Sequence, residues 1–134
     1  MQSWVSDKLL VKVSRKHGLG LFSRIPIEPH ELIIVFGGYI GNRPSEDGYF
    51  LELITGFYLN NTLDAPKDDL SNFLNHSCEP NAEINDLICV YTIRSIHVGE
   101  EITIDYFKGR DASNYPDFQC LCGSPKCKFI KQQI

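Results

Sequence analysis

Seven residues near the middle of the chain, Asn75-His76-Ser77-Cys78-Glu79-Pro80-Asn81, constrain its folding most. They sit between the apolar pair Phe73-Leu74 and the strand-like runs after Asn81. Their polar density and single proline predict neither a regular strand nor a helical turn that buries anything. An irregular segment inside a fold must find partners for its N–H and C=O groups. That cost is met chiefly where a site is being built. The competing reading is a surface turn, because Ser, Asn and Pro are turn formers.

The 134 residues suit one domain. A hydrophobic share of 43% and a charged share of 22% exclude a disordered chain. The longest apolar run, Leu32-Ile33-Ile34-Val35-Phe36, is far short of the roughly 20 residues that span a bilayer. The opening Met1-Gln2-Ser3-Trp4-Val5 has neither the basic nor the apolar region of an export signal. The expectation is an intracellular protein, cytoplasmic or nuclear rather than secreted, with no membrane partner. Thirteen basic against 17 acidic residues leave a formal charge of −4, which argues against direct nucleic-acid binding and suits a basic peptide.

No segment carries a sustained 3.6-residue apolar period, while short strand-like runs recur between turn signals. Strands are predicted at Leu9 to Val13, Leu19 to Ser23, and Leu32 to Phe36 with Tyr39-Ile40 continuing beyond Gly37-Gly38. Two hairpins are predicted: Tyr49 to Leu53 with Phe57 to Asn60 across Thr55-Gly56, and Ala82 to Ile84 with Leu87 to Ile93 across Asn85-Asp86. Glu101 to Tyr106 reads as a further strand, and one helical turn is expected around Lys67 to Leu70. The fold class is mainly β, one compact domain of short sheets.

From about Asp111 on, apolar content falls and cysteines crowd: Cys120, Cys122 and Cys127 lie within eight residues. Five cysteines, an odd number, argue against a disulfide framework. A tail of so little core is expected to fold around a metal and dock back. Zinc takes four thiolate or imidazole ligands. The tail supplies three, and Gly123-Ser124-Pro125 lets Cys127 turn back toward the others. Cys78, Cys89 or a histidine could be the fourth. Cys89 lies in an apolar strand, where a thiol behaves as a small core residue. Cys78 lies in the irregular segment, free to face an ion, and is the chosen ligand. His17, His30 and His97 are expected in turns or on the surface.

Two further pieces are modest by themselves. Gly18-Leu19-Gly20 allows close backbone approach to a ligand but lacks a dinucleotide fingerprint's third glycine and helix. Glu100-Glu101-Ile102-Thr103-Ile104-Asp105-Tyr106 is a strand with a polar start, in which Tyr106 is ordinarily a packing residue with its hydroxyl at the surface.

Taken together, these pieces resemble the SET-domain protein lysine methyltransferases. That family's pattern is Gly-x-Gly, then Asn-His-Ser-Cys-x-Pro-Asn, then Gly-Glu-Glu-(Leu/Ile)-Thr-x-Asp-Tyr, then a Cys-x-Cys-x₄-Cys post-SET tail. All four occur in order, from Lys16 to Cys127. The resemblance implies a SET domain over residues 1–111, with a knot-like C-terminal crossing, and a zinc-bound post-SET tail over residues 112–134. It implies S-adenosylmethionine as cofactor, held by Lys16, His17, Gly18, Leu19 and Gly20, by Asn72, Phe73, Asn75 and His76, and by Tyr49, Tyr106, Phe118 and Leu121. Tyr106 and Tyr49 would be the active-site tyrosines. Cys78, Cys120, Cys122 and Cys127 match the family's zinc ligands. The implied activity is methyl transfer to a lysine of a protein substrate, a histone among the candidates, by a monomer or homodimer.

That chemistry is a direct displacement. A lysine of pKa near 10.4 must lose its proton, which a narrow apolar channel and a nearby sulfonium favour. Alignment supplies the rest, and no metal takes part, so zinc would be structural. The chain departs from the family at Phe36-Gly37-Gly38, where Tyr-x-Gly followed by Glu is usual, and at Asn72, where arginine is common. Ile104 stands where many members carry Phe or Tyr, which leans toward di- or trimethylation. The span from Tyr49 to Asn72 is short, so substrate identity does not carry over. The alternative is a catalytically silent SET-like module that binds peptides in the same groove.

Overall fold

The computed structural model describes residues 3–15, 18–44, 50–60, 69–108 and 112–129. The chain forms eleven short strands among these residues: β1 (Trp4–Val5), β2 (Leu9–Val13), β3 (Leu19–Ser23), β4 (Leu32–Val35), β5 (Tyr39–Gly41), β6 (Phe50–Ile54), β7 (Phe57–Asn60), β8 (Asn75–His76), β9 (Ala82–Asn85), β10 (Cys89–Thr92) and β11 (Thr103–Ile104). Two 3₁₀ turns, Leu70–Phe73 and Ala112–Asn114, complete them. The fold is mainly β, as the absence of helical periodicity predicts.

Four small sheets divide the strands. One has the order β1-β4-β10-β9, one β5-β7-β6, and two are pairs, β2-β3 and β8-β11. The apolar run of β4 sits inside the first sheet, with Ile33 and Ile34 fully buried. They join Leu9, Leu21, Ile27, Leu74, Ala82, Val90, Ile96, Ile102 and Ile104 in an aliphatic core. β2 and β3 pair from Leu9↔Ser23 to Val13↔Leu19, and β6 and β7 turn at Thr55-Gly56, where Gly56 takes φ +83°.

Several expectations need correction. Tyr39-Ile40 does not continue β4; past Gly37-Gly38 it joins β7 in a different sheet. Of the helical turn expected around Lys67 to Leu70, Lys67 and Asp68 lie outside the described residues; a 3₁₀ turn spans Leu70–Phe73, capped by Asp69, whose side chain accepts from the Ser71 amide. Asp69 also accepts the Ser3 amide, tying the N-terminal segment down. β1, missed in the sequence, pairs Trp4↔Val35 and Val5↔Ile34; two residues carry no readable period. The hairpin between β9 and β10 turns through Asp86 and Leu87, both at positive φ, one position later than expected. Cys89 is half-buried rather than core.

The predicted strand from Glu101 to Tyr106 is two short pairings. Glu101 bridges Phe22 of β3 and the Ile102 amide donates to Leu21. Thr103 and Ile104 then pair in parallel with Asn75 and His76. The central seven-residue segment therefore opens with a strand, contrary to expectation. It lies partly inside the fold: His76, Ser77 and Asn81 are buried, Asn75, Cys78 and Pro80 are half-buried, and Glu79 is exposed. The Asn81 side chain satisfies the neighbouring backbone, donating to Glu101 O at 2.8 Å and accepting from Thr103 N at 2.9 Å. This sequence of partners puts the residues leading into β11 beside β3 and β11 itself beside β8.

Candidate active site and metal centre

The tail closes on the central segment through its cysteines. Gly123 at φ +71° and the bond from Cys127 N to Ser124 O, 3.1 Å, turn the chain back. The sulfurs of Cys78, Cys120, Cys122 and Cys127 all lie within 4.8 Å of one another. Cys78 Sγ is 3.9 Å from Cys120 Sγ and 3.8 Å from Cys127 Sγ. A tetrahedral zinc–thiolate centre with Zn–S of about 2.3 Å has sulfur edges of roughly 3.8 Å. The donor set therefore fits zinc in type, number and spacing. Backbone amides also point at the sulfurs, Lys128 N to Cys78 Sγ at 3.3 Å and Phe129 N to Cys127 Sγ at 3.4 Å. Thiolates accept such bonds well.

Burial pushes the Cys78 thiol up to about 11 and raises that of Cys120 as well. Burial works the same way on Cys122, but donors led by the Ser124 backbone overcome it and hold the thiol at about 7. Buried thiolates need a cation nearby, and metal binding displaces the protons.

Around the sulfurs lies an aromatic cluster. Phe107 meets Tyr115 in a tilted contact at 4.6 Å and Phe118 edge-to-face at 4.7 Å, and Phe118 meets Phe129 at 5.1 Å. His76, 1% exposed, is ringed by Tyr106, Phe107, Phe118 and Phe129, with centroids 5.2–6.0 Å away. Phe129 and Phe107 carry the tail's packing, and nothing in the sequence singled them out.

Tyr106 follows β11 in a turn. Its hydroxyl donates to Leu74 O in a partly buried contact, although the residue as a whole is 44% exposed. Burial, with the Glu101 carboxylate adding to it, pushes the hydroxyl up to about 12. At neutral pH Tyr106 is therefore a neutral phenol whose proton is held by Leu74 O.

On the other side stands the glycine turn. Gly18 takes φ +61°, and a Cβ there would meet nothing within 4 Å. Gly20 is crowded instead: a Cβ would run into the Glu101 carboxylate, which would have to shift. That carboxylate accepts from Ser14 Oγ and from Asn75 Nδ2, each at 2.8 Å. Asn75 Nδ2 also reaches Leu19 O at 2.9 Å. Glu101 thus fastens the β2–β3 hairpin to β8. Its place in the Glu-Glu motif was legible; this task was not, because it depends on β3 arriving from elsewhere.

The structure therefore brings Gly18, Leu19, Gly20, Asn75 and Tyr106 about Glu101, and His76, Phe118 and Tyr106 about the aromatic cluster. Phe73 packs on the aliphatic core, beside a half-buried Asn72. Leu121 is 56% exposed. Lys16, His17 and Tyr49 lie outside the described residues. An open cleft of about 290 Å³, lined by His30, Glu83, Asn85, Asp86, Tyr91 and Thr92, shares no residue with this group.

A family model described as the SET domain matches residues 18–107. The chain belongs to the SET-domain family. The match spans the glycine turn, the Asn75–Asn81 segment and Tyr106, and stops before the three tail cysteines. Among curated relatives, a histone-lysine N-methyltransferase, H3 lysine-4 specific, of Schizosaccharomyces pombe is 36% identical over 134 residues, covering 86% of this chain and 14% of that protein. Its counterpart in Kluyveromyces lactis is 33% identical, covering 84% of this chain and 13% of that protein. A histone-lysine N-methyltransferase, H3 lysine-36 specific, of the same yeast is 32% identical, covering 91% of this chain and 19% of that protein. The SET chain described here thus spans less than a fifth of the length of these relatives. No helix among the described residues is long and apolar enough to cross a membrane.

Proposed function

We propose that this SET domain is an S-adenosylmethionine-dependent protein-lysine N-methyltransferase, with residues 112–134 as a post-SET tail stapled to it by zinc. The observation that carries the reading is Tyr106: a neutral phenol anchored on Leu74 O, close to the Glu101 carboxylate on one side and packed on the aromatic cluster on the other. The relatives' names support the reaction class and offer a histone tail as substrate.

The cofactor, when bound, supplies an electrophilic methyl group on a sulfonium. Gly18, Leu19, Asn75 and His76 would hold it through their backbones, with Tyr106, Phe118 and Leu121 as apolar cover. The open space at Gly18 and the exposed Leu19 and Leu121 fit a ligand with both polar and apolar surface. Tyr106 would orient the reacting groups by its hydroxyl oxygen through weak C–H···O contacts. The aromatic rings would exclude water and favour an uncharged lysine amine. Nothing in this scheme asks His76 to take a proton.

Ile104 is 4% exposed, within the aliphatic core. Our reading keeps it as the residue whose small, non-hydroxylic side chain favours di- or trimethylation.

The test is incubation of the full chain with methyl-labelled S-adenosylmethionine and histone-tail peptides, read by mass spectrometry. The expected result is methylated lysine, with site and methyl count given together. Cofactor binding without transfer to any protein would instead favour the silent peptide-binding module, which Phe36, lacking a hydroxyl, keeps as the second reading.

A further inference from the structure

We infer that His76 is a positioning residue that couples the metal centre to Tyr106: its Nε2–H donates to Cys78 Sγ while its Nδ1 accepts the Tyr106 amide. The inference rests on the zinc and Tyr106 assignments above.

A backbone N–H can only donate, so it fixes the direction of any bond it makes. Tyr106 N lies 3.1 Å from His76 Nδ1, which makes Nδ1 the acceptor. The rival partner for Nδ1 is the Asp105 carboxylate, whose Oδ1 is 3.6 Å away, too far for a hydrogen bond. That oxygen already accepts from Phe107 N at 2.9 Å, and Oδ2 accepts from Lys128 Nζ. With Nδ1 accepting, the ring proton sits on Nε2, because the two nitrogens of a neutral imidazole divide the roles. Nε2 faces Cys78 Sγ at 3.4 Å. A metal-bound thiolate carries no proton to offer, so the contact is attractive only as N–H···S. His76 is 1% exposed, and a ring that deep must satisfy its nitrogens inside the protein.

Three consequences follow from this arrangement. The side chain of His76 is committed to the metal side, which leaves only its backbone for a cofactor. Cys78 Sγ receives two donors, His76 Nε2 and Lys128 N, which spread the thiolate's charge and orient it. Tyr106 is gripped at both ends, by His76 at its amide and by Leu74 at its hydroxyl. Loss of the ion would loosen the first grip without touching the second.

The test is made on the unmodified full chain, isotope-labelled and loaded with an NMR-active cadmium isotope in place of zinc. Long-range proton–nitrogen correlation of the imidazole should show the proton on Nε2, and that proton should couple through the hydrogen bond to cadmium. A proton on Nδ1, or no coupling to the metal, overturns the proposal. Neither result bears on whether methyl is transferred, which the labelled-cofactor assay decides by itself.

Two half-replacements divide the roles. In His76→Asn the amide oxygen can stand in for Nδ1, and in His76→Gln the amide nitrogen can stand in for Nε2. The Asn variant should bind zinc about 10- to 100-fold more weakly and keep slow exchange at the Tyr106 amide. The Gln variant should keep its zinc affinity and exchange that amide faster. Equal losses of zinc affinity in the two variants would overturn the coupling.

Discussion

Two cores of opposite chemistry hold this molecule together. The first is aliphatic: Leu, Ile, Val and Ala from β2, β3, β4, β9 and β10, joined by Leu74 and the segment from Ile96 to Ile104. The second is aromatic and sulfurous: Phe107, Phe129 and three buried cysteines, with Cys78, Ala112, Tyr115 and Phe118 packed on them. Burial of apolar area by paired strands is enough to account for the first. Among the described residues the second has only a 3₁₀ turn for regular structure, and it assembles polar sulfurs whose anions burial disfavours, so it needs an ion. His76, Tyr106 and Phe107 lie at the seam. A SET site built on such a seam should respond to perturbation of either core, but in different observables.

The sharpest way to break the comparison is to remove the metal. Structural zinc contributes on the order of 10 kcal/mol in small domains. Chelation, or Cys122→Ser, should abolish exchange protection from Cys120 to Phe129 and lower cofactor binding and transfer at least about 100-fold. Protection at Ile34 and Val90 should persist. Native mass spectrometry of active protein without bound zinc would remove the distinction between the cores. The converse perturbation is Ile34→Ala, at a fully buried position. It should cost about 2–5 kcal/mol, lowering the global unfolding midpoint while zinc stoichiometry stays the same. A loss of metal in step with that midpoint would mean that the two cores unfold as one.

Gly20 sharpens the boundary on the cofactor side. Its Cβ would strike the Glu101 carboxylate, so Gly20→Ala should cost about 1–3 kcal/mol by overpacking. In a Glu101→Ala background the same substitution should cost much less. An equal cost in both backgrounds would show that the carboxylate is not what demands glycine there. Next in size is Tyr106→Phe, which removes the hydroxyl on Leu74 O. Transfer should slow at least about tenfold, roughly 1.4 kcal/mol, with zinc content and cofactor affinity little changed. An unaltered rate would take Tyr106 out of the reaction.

The two cores were unequally legible in the sequence. β2, β3 and the β6–β7 hairpin could be read because alternation and a glycine turn are local signals. The segment from Glu101 to Tyr106 could not be divided correctly, since its change of partner from β3 to β8 is decided by pairings with residues 28 or more positions away. Cys78 could be matched with the tail cysteines because an irregular polar setting frees a thiol to face an ion. The His76 link to Cys78 and Tyr106 could not be foreseen, because it depends on the direction of a ring inside a fold. Phe107, beside Tyr106, and Phe129, between Lys128 and Ile130, escaped notice because only the folded tail shows what they cover.

The smallest expected effect tests whether the aliphatic core's rim adds to its acid stability. Arg94 grips Glu100 with both guanidinium ends, at 2.6 and 3.1 Å. His97 N adds a third bond at 2.9 Å. These contacts, Arg94 foremost, hold the Glu100 carboxyl down at about 2, against an ordinary value of 4.5. A carboxyl whose folded pKa lies below its unfolded one stabilises the fold fully above the unfolded value. That contribution is lost as pH falls through the folded value, so the window runs from about 4.5 down to about 2. Arg94 is 53% exposed, and solvent screening keeps the pair's worth below about 1 kcal/mol. Glu100→Gln should therefore shift the neutral-pH unfolding midpoint only slightly and flatten the fall in stability across that acid window, leaving zinc content unchanged. An acid limb identical to that of the parent would place the carboxylates responsible elsewhere, and Glu100 would be a surface contact of no consequence to either core.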